Sequence, residues 1–172
     1  KYKELKCPSN LNLIEKYHNE TRYSERTNTK KQYNSAKGMW GGDYSNSFYC
    51  FMMWAGKDFY KKDQLILDWG CGFGHKASWF KLLFGINTIG IDVEKKAIDF
   101  ANKNSIGKFL YTDGTKLDFI PDSYFDHVYT LAAIYHIPHN IQKHVVLEFC
   151  RITKSGGTIV LQWNGNHIKN NP

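Results

Sequence analysis

The chain has 172 residues and a mass of 20.0 kDa, which suits one domain with its own hydrophobic core. Its hydrophobic fraction of 42% and aromatic fraction of 16% are those of a globular protein. No apolar run approaches the ~20 residues that a membrane-spanning helix needs, and the composition therefore argues against a membrane-spanning protein.

The net charge is +7, and most of the excess lies in residues 1–64. A basic region suits a phosphate-bearing partner, but the lysines here alternate with acids, which favours an ordinary solvated surface. The cysteines lack the spacing of a metal site, and they are Cys7, Cys50, Cys71 and Cys150. We therefore expect reduced thiols and a cytoplasmic protein.

The first part of the chain is predicted to form a cap. A helix is expected from Leu11, behind a capping serine or asparagine. Residues 21–47 are polar and irregular, yet they carry large aromatic side chains that pure linkers seldom have: Tyr23, Tyr33, Trp40 and Tyr44. Apolar residues recur at helical spacing over 48–59. We expect residues 1–64 to be an N-terminal helical cap or lid on a core of residues 65–172, within one domain.

A short apolar run at residues 65–67 predicts a buried strand, which stops at Asp68. Three glycines follow at alternate positions: Gly70, Gly72 and Gly74. Residues 76–84 then show the spacing of a helix. Glycines between a strand and a helix let the backbone approach a ligand closely, because no Cβ stands in the way. The fingerprint of dinucleotide-binding proteins would need a further glycine at the position of His75, which argues against a nicotinamide dinucleotide.

Strands and helices alternate along the rest of the chain. Strands are predicted over residues 86–92, 108–112, 124–130 and 158–163, and helices over 94–103 and through Val145 to Ile152. A turn at residues 155–157 is expected to precede the last strand. This alternation predicts βαβ units and an α/β fold with a parallel sheet.

Acidic residues end two of these strands. Asp92 lies 22 positions after Gly70, where a carboxylate can accept hydrogen bonds from both hydroxyls of an adenosine ribose. Asp113 ends the next strand and can accept a proton of the adenine amino group, while Gly114 offers backbone without crowding the ring. An exposed acid at a strand end and a simple Asp-Gly turn are the alternative interpretations. Because the carboxyl ends of parallel strands share one edge, we expect a ligand there.

The spacing D-x-G-x-G-x-G that begins at Asp68 resembles the first motif of the S-adenosylmethionine (SAM)-dependent methyltransferases of the Rossmann-like class. Further stretches are similar to the small-molecule, methyltransferase type 11-like branch, and they extend the resemblance over residues 65–163. They are the acidic stretch with a proline at 117–126, the segment 131–138 after the fourth strand, and the turn 151–157 with Ser155 in place of a proline.

The resemblance implies a Rossmann-like parallel sheet with flanking helices, with SAM as cofactor and S-adenosylhomocysteine as product. Asp68 and the three glycines would shape the methionine end of the pocket, and Asp92 would hold the ribose. Asp113 and Gly114 would hold the adenine, and the Leu131 backbone would lie near the cofactor. The predicted cofactor-binding residues are Asp68, Gly70, Cys71, Gly72, Gly74, Asp92, Val93, Asp113, Gly114, Thr115 and Leu131.

His136, after the fourth strand, is the candidate general base, with Tyr135 and His139 as weaker candidates. A hydrogen-bonded structural histidine is the alternative. The spacing of His136, His139 and His144 fits no metal site, so we expect no metal. The chain has Thr130-Leu131-Ala132-Ala133 where nucleic-acid methylases of the adenine or cytosine type carry an Asn/Asp-Pro-Pro-aromatic motif, so we expect no nucleic-acid substrate.

The predicted function is methyl transfer from SAM to an oxygen or nitrogen atom of a small molecule. A protein that binds SAM or S-adenosylhomocysteine without transferring methyl groups is the alternative. A nicotinamide dinucleotide enzyme is a further one, against which His75 argues.

The family's sheet has seven strands, and its final hairpin is expected to be missing here. An uncovered last strand, rich in apolar residues, would invite pairing with another chain. We therefore expect this strand to be covered either by further residues beyond Pro172 or by a partner chain. A homo-oligomer that forms through this edge is one possible partner arrangement. The chain also starts without Met, which favours a fragment.

Overall fold

The computed structural model describes residues 58–162, apart from the side chain of His75. The predicted helices and lid within residues 1–57, and any structure after residue 162, lie outside the described residues. The strands are β1 (Leu65–Trp69), β2 (Asn87–Asp92), β3 (Lys108–Tyr111), β4 (Phe125–Thr130) and β5 (Thr153–Leu161). The helices are α1 (His75–Phe84), α2 (Lys95–Asn104) and α3 (His139–Ile152), with a short 3-10 helix at Ile134–His136.

The five described strands form one parallel sheet in the order β3-β2-β1-β4-β5. The chain builds outward from β1 to β3 on one side, and then returns to place β4 on the other side of β1. In such a sheet a crevice opens at the carboxyl ends of the strands, where the strand order reverses. The predicted Rossmann-like α/β fold with a parallel sheet and flanking helices is therefore confirmed.

Both faces of the central strand are buried. Ile66 and Leu67 are neighbours in β1, point to opposite faces and are fully buried. On the Leu67 side the core is completed by α3 through Val145, Phe149 and Ile152. On the Ile66 side it is completed by α1 through Trp79 and Phe80. A parallel sheet needs helices on both faces, which explains why its strands are apolar almost throughout.

The glycine turn after β1 is fixed by a small cluster of its own. Helix α2 presents Ile98 and Ala101 to Phe109 of β3, and Cys71 of the turn lies in the same cluster. The turn is thus packed against the body of the domain, which holds its backbone in place.

The predicted turn at residues 155–157 is wrong, because β5 already begins at Thr153. Phe125 pairs with Thr153, but His127 pairs with Thr158, so extra residues of β5 bulge out between the two pairs. Gly156 lies in this bulge at φ 79°, a left-handed conformation that glycine adopts without a steric penalty. Beyond the bulge, a contact of 2.8 Å between His127 Nδ1 and Thr158 Oγ1 fixes the register again.

β5 forms one edge of the described sheet and pairs with β4. Pairing of this edge with a second copy of the chain stays a prediction, as do the division at residue 64 and the cytoplasmic location. Among residues 58–162, no helix combines the length and the apolar character needed to cross a bilayer.

Candidate functional site

A cavity of about 310 Å³ opens at the carboxyl ends of β1 to β4. It is lined by residues 69–73 at the end of β1, residues 91–93 at the end of β2, residues 112–114 after β3 and residues 131–133 after β4, together with Lys76, His136 and Ile137. This is the crevice at which the strand order reverses, and the volume lies within the range of ligand pockets.

The glycine turn forms one wall of the cavity. The backbone N–H groups of Gly70 and Cys71 both donate to the Ile91 carbonyl, at 2.9 and 3.0 Å, and so tie the turn to β2. Gly70 has φ 71°, and a Cβ at this position would lie 2.2 Å from the Cβ of Ala133. The turn therefore accepts no side chain at Gly70, because it lies directly against the segment that follows β4.

The Asp92 carboxylate is held in a fixed orientation at the end of β2. Its Oδ2 accepts a hydrogen bond of 2.7 Å from the Gly72 N–H, and its Oδ1 accepts one of 2.9 Å from the Glu94 N–H. An ionised carboxylate has about four acceptor sites. Each oxygen of Asp92 can therefore accept a further hydrogen bond from a ligand without losing its backbone partner.

Asp113 and Gly114 form the wall after β3. Asp113 Oδ1 accepts hydrogen bonds from the Thr115 N–H and hydroxyl, at 2.9 and 3.1 Å, which lower the pKa of this carboxyl below its usual value. Gly114 has φ 69°, and its carbonyl accepts a bond of 2.8 Å from the indole N–H of Trp69. This hydrogen bond links the end of β1 to the segment that follows β3.

Asp68 and Lys76 form a buried ion pair beneath the glycine turn. Lys76 Nζ lies 3.5 Å from Asp68 Oδ1 and 3.4 Å from the Gly70 carbonyl oxygen. Burial raises the pKa of Asp68 to about 6, although Lys76 opposes the shift. The pair places a cation next to the cavity, with its counter-ion behind it.

The segment after β4 supplies the opposite wall. Ala132 has φ 52°, and its N–H donates to Gln162 Oε1 at 2.8 Å. His136 ends the short 3-10 helix at the cavity, and its exposed ring lies beside Tyr135, with a centroid separation of 4.4 Å. The imidazole is therefore accessible to a molecule that enters the cavity.

The structure brings most of the predicted residues to one cavity. Those that line it are Gly70, Cys71, Gly72, Asp92, Val93, Asp113, Gly114, Leu131 and His136. Asp68 lies behind Lys76, Gly74 lies against the Phe109 ring, and Thr115 bonds to Asp113, so these three are outside the lining. Their roles toward a cofactor stay predictions.

Sequence reasoning missed several lining residues, which are Trp69, Phe73, Lys76, Ile91, Thr112, Ala132, Ala133 and Ile137. Most of them are neighbours of predicted residues at strand ends. The available signal was therefore that ligands bind at the carboxyl ends of parallel strands. Lys76 gave no such signal, because a lysine in a helical stretch normally predicts an exposed side chain.

A metal site, and a reactive thiol in the glycine turn, have no support in the described part of the chain. Within residues 58–162 no group of three histidine, cysteine, aspartate or glutamate side chains is placed to hold a metal ion. Burial raises the pKa of the Cys71 thiol. The thiol in the glycine turn is therefore protonated and serves as a small packing group.

Known proteins share this architecture. A family model described as a methyltransferase domain matches residues 67–161, more than half of the chain. Phosphoethanolamine N-methyltransferase 3 of Arabidopsis thaliana is 31% identical over 59% of this chain. The 27-O-demethylrifamycin SV methyltransferase of Amycolatopsis mediterranei is 29% identical over 56% of it. The matched regions span 21% and 37% of these two relatives.

A solved structure supports the fold. A SAM-dependent methyltransferase from Archaeoglobus fulgidus superposes with a TM-score of 0.56 at 19% identity, over 72% of this chain and 53% of that one. From the family match over residues 67–161, the chain belongs to the methyltransferase-domain family, the SAM-dependent methyltransferases of class I.

Proposed function

We propose that the protein binds SAM in the cavity at the carboxyl ends of β1 to β4 and transfers its methyl group to a small-molecule acceptor. The observation that carries the proposal is the position of two carboxylates at this cavity. Asp92 ends β2, Asp113 follows β3, and both are oriented by backbone N–H groups. SAM is the cofactor of the family.

The lining suits an adenosine group. Asp92 has acceptor sites left for ribose hydroxyls, and Asp113 has them for an adenine amino group. Gly70 and Gly72 carry no side chain that would block the approach of the cofactor, and Val93 next to Asp92 is 63% exposed. An exposed apolar side chain at this position offers the adenine ring a surface to pack on.

When bound, the cofactor would supply a methyl group on a positively charged sulfonium, and the neutral thioether that remains after transfer is a good leaving group. The protein's task is to hold the acceptor in line with that methyl group and to exclude water, an effect that can contribute ~7–11 kcal/mol. Phe73, Leu131 and Ile137 are apolar side chains of the lining. They supply the water-excluding part of the wall.

His136 is proposed as the general base. An acceptor hydroxyl loses a proton as it attacks the methyl group, and a protonated amine must lose one before it can attack. An imidazole at the cavity can take that proton. The His136 ring is exposed and lines the cavity, whereas His139 begins α3 and is outside the lining. The two histidines therefore form a matched pair for a test.

The acceptor is proposed to be a small molecule that is methylated on oxygen or nitrogen. The two curated relatives carry phosphoethanolamine and a rifamycin in their names, and both are small molecules. The protein is then a methyltransferase of small metabolites.

The test is a transfer assay with SAM that is labelled at the methyl group and a panel of small alcohols and amines. We expect label to appear in at least one acceptor. His136→Asn should lower turnover by about 100-fold, within the usual range for general base catalysis, without changing cofactor affinity. His139→Asn should leave turnover unchanged. Equal turnover in the two variants would refute the role of His136. Cofactor binding without transfer to any acceptor would favour a SAM-binding protein that lacks transferase activity.

A further inference from the structure

Lys76 is the one lysine or arginine that lines the cavity in the part of the chain that the structure describes. It is the second residue of α1, and only 3% of its surface is exposed. Removing an ammonium group from water is costly unless a counter-charge or strong hydrogen bonds compensate for it. A buried lysine at a ligand cavity therefore requires an explanation beyond helix formation.

Asp68 supplies the counter-charge. It is fully buried at β1, and its Oδ1 lies 3.5 Å from Lys76 Nζ. Neither oxygen of Asp68 has a hydrogen-bond partner within the described residues, so Lys76 is what compensates for its burial. The distances of 3.5 Å to Asp68 and 3.4 Å to the Gly70 carbonyl are both long for hydrogen bonds. The lysine thus lies in the lining of the cavity with its counter-ion beside it, where an anionic group of a ligand can approach the ammonium.

The charges around the cavity are unevenly placed. Asp92 and Asp113 lie at the ends of β2 and β3, the strands on one side of β1, and Lys76 lies at the start of α1. The first turn of α1 contains no acidic residue. Its cap residue is Gly74, which has no side chain to accept a hydrogen bond from the first N–H groups of the helix. The positive end of the helix dipole therefore adds to the charge of Lys76. Asp68, behind the lysine, offsets part of this charge, but an anionic group of a ligand is still favoured at α1 over the strand ends that carry the two acids.

From this geometry we propose that Lys76 binds the carboxylate at the amino-acid end of the cofactor, and that Asp68 is the positioning residue that holds Lys76 at the cavity. The inference rests on the proposed function, because it assigns one end of a SAM molecule to one side chain. It gives the acid at the head of the glycine motif an indirect role, through the lysine.

The test compares SAM with decarboxylated SAM, which lacks only the carboxylate. Calorimetry on the full chain should show that the wild-type protein binds SAM at least about tenfold more tightly, the effect of one charge-assisted hydrogen bond. Lys76→Met should weaken SAM binding by about 10- to 100-fold and leave decarboxylated SAM within about twofold. Lys76→Arg should restore part of the selectivity, because the cation is kept.

Several results would overturn the proposal. Equal affinity of the wild-type protein for SAM and decarboxylated SAM would overturn it. This measurement needs no variant, so it does not depend on whether Lys76→Met folds. An equal loss for both ligands in Lys76→Met would show a purely structural lysine. Tighter SAM binding by that variant would show that the lysine competes with the cofactor's own ammonium group. Absence of binding of either ligand to the wild type would refute the proposed function itself, whereas binding without selectivity refutes only this inference.

Discussion

The Asp92 carboxylate accepts a hydrogen bond of 2.7 Å from the Gly72 backbone N–H, so that the end of β2 is tied to the glycine turn after β1. The other oxygen of Asp92 accepts the Glu94 N–H at 2.9 Å. One side chain thus orders two walls of the cavity and presents its remaining acceptor sites between them. Removing this carboxylate therefore affects both the shape of the site and its contacts with a ligand.

Asp92→Ala is expected to weaken binding of S-adenosylhomocysteine by about 2–4 kcal/mol, because a pair of charge-assisted hydrogen bonds to the ribose is lost. Asp99→Ala is the matched control, since Asp99 is an exposed acid on α2 that pairs with Lys95. Isothermal titration calorimetry of both variants checks the prediction. Unchanged affinity of Asp92→Ala would remove the ribose assignment.

Gly70→Ala is expected to destabilise the fold more than Gly156→Ala. Both glycines are left-handed, at φ 71° and 79°, so both substitutions incur a backbone cost of about 1–2 kcal/mol. A Cβ at Gly70 would also lie 2.2 Å from the Cβ of Ala133, whereas a Cβ at Gly156 would have no atom within 4 Å. The additional clash should cost about 1–3 kcal/mol.

Urea unfolding of these two variants gives the comparison, and cofactor titration gives a second measurement. Gly70→Ala should also lose cofactor affinity, because Ala133 and the turn both line the cavity. Equal unfolding free energies for Gly70→Ala and Gly156→Ala would show that the segment after β4 moves away without cost.

Asp68→Asn should change how stability depends on pH. Burial raises the folded-state pKa of Asp68 from 3.8 to about 6, so between these values the folded state binds the proton more tightly than the unfolded state does. The contribution of Asp68 to stability therefore falls as pH rises through this window. Relative to the variant, the wild type should lose about 2–3 kcal/mol of unfolding free energy between about pH 4 and pH 7.

Urea unfolding of both proteins across that pH range provides the measurement. Asp113, Asp126 and Glu148 have lowered pKa values and give the opposite slope, but they are present in both proteins and cancel in the difference. A constant difference across the window would show that Asp68 titrates in the folded protein as it does in the unfolded chain.

Local patterns explain why much of the fold was predictable. The run at residues 65–67, the glycines after it and Asp92 at a strand end are short-range signals, and the structure shows β1, the turn and β2 where these signals indicate them. The beginning of β5 was not predictable in this way. It depends on the pairing of Thr158 with His127, which lies thirty-one positions earlier in the chain. It also depends on a bulge at Gly156, and the same local sequence is equally compatible with a turn.

The candidate site was only partly predictable, for a related reason. Sequence position indicates that a residue ends a strand, but not which way its side chain points or what lies behind it. Lys76 has the sequence context of a surface lysine, and its burial follows from the position of Asp68 on the adjacent strand. Such pairs become visible only when the sheet is assembled.

The most direct test of SAM binding in the cavity is a titration of the wild-type chain with S-adenosylhomocysteine, alongside a titration with reduced nicotinamide dinucleotide. We expect the first to bind with a dissociation constant on the order of micromolar and to saturate at one site per chain. We expect the second not to bind. Absence of S-adenosylhomocysteine binding at millimolar concentration, or binding of the nicotinamide cofactor in its place, would contradict the assignment of the cavity.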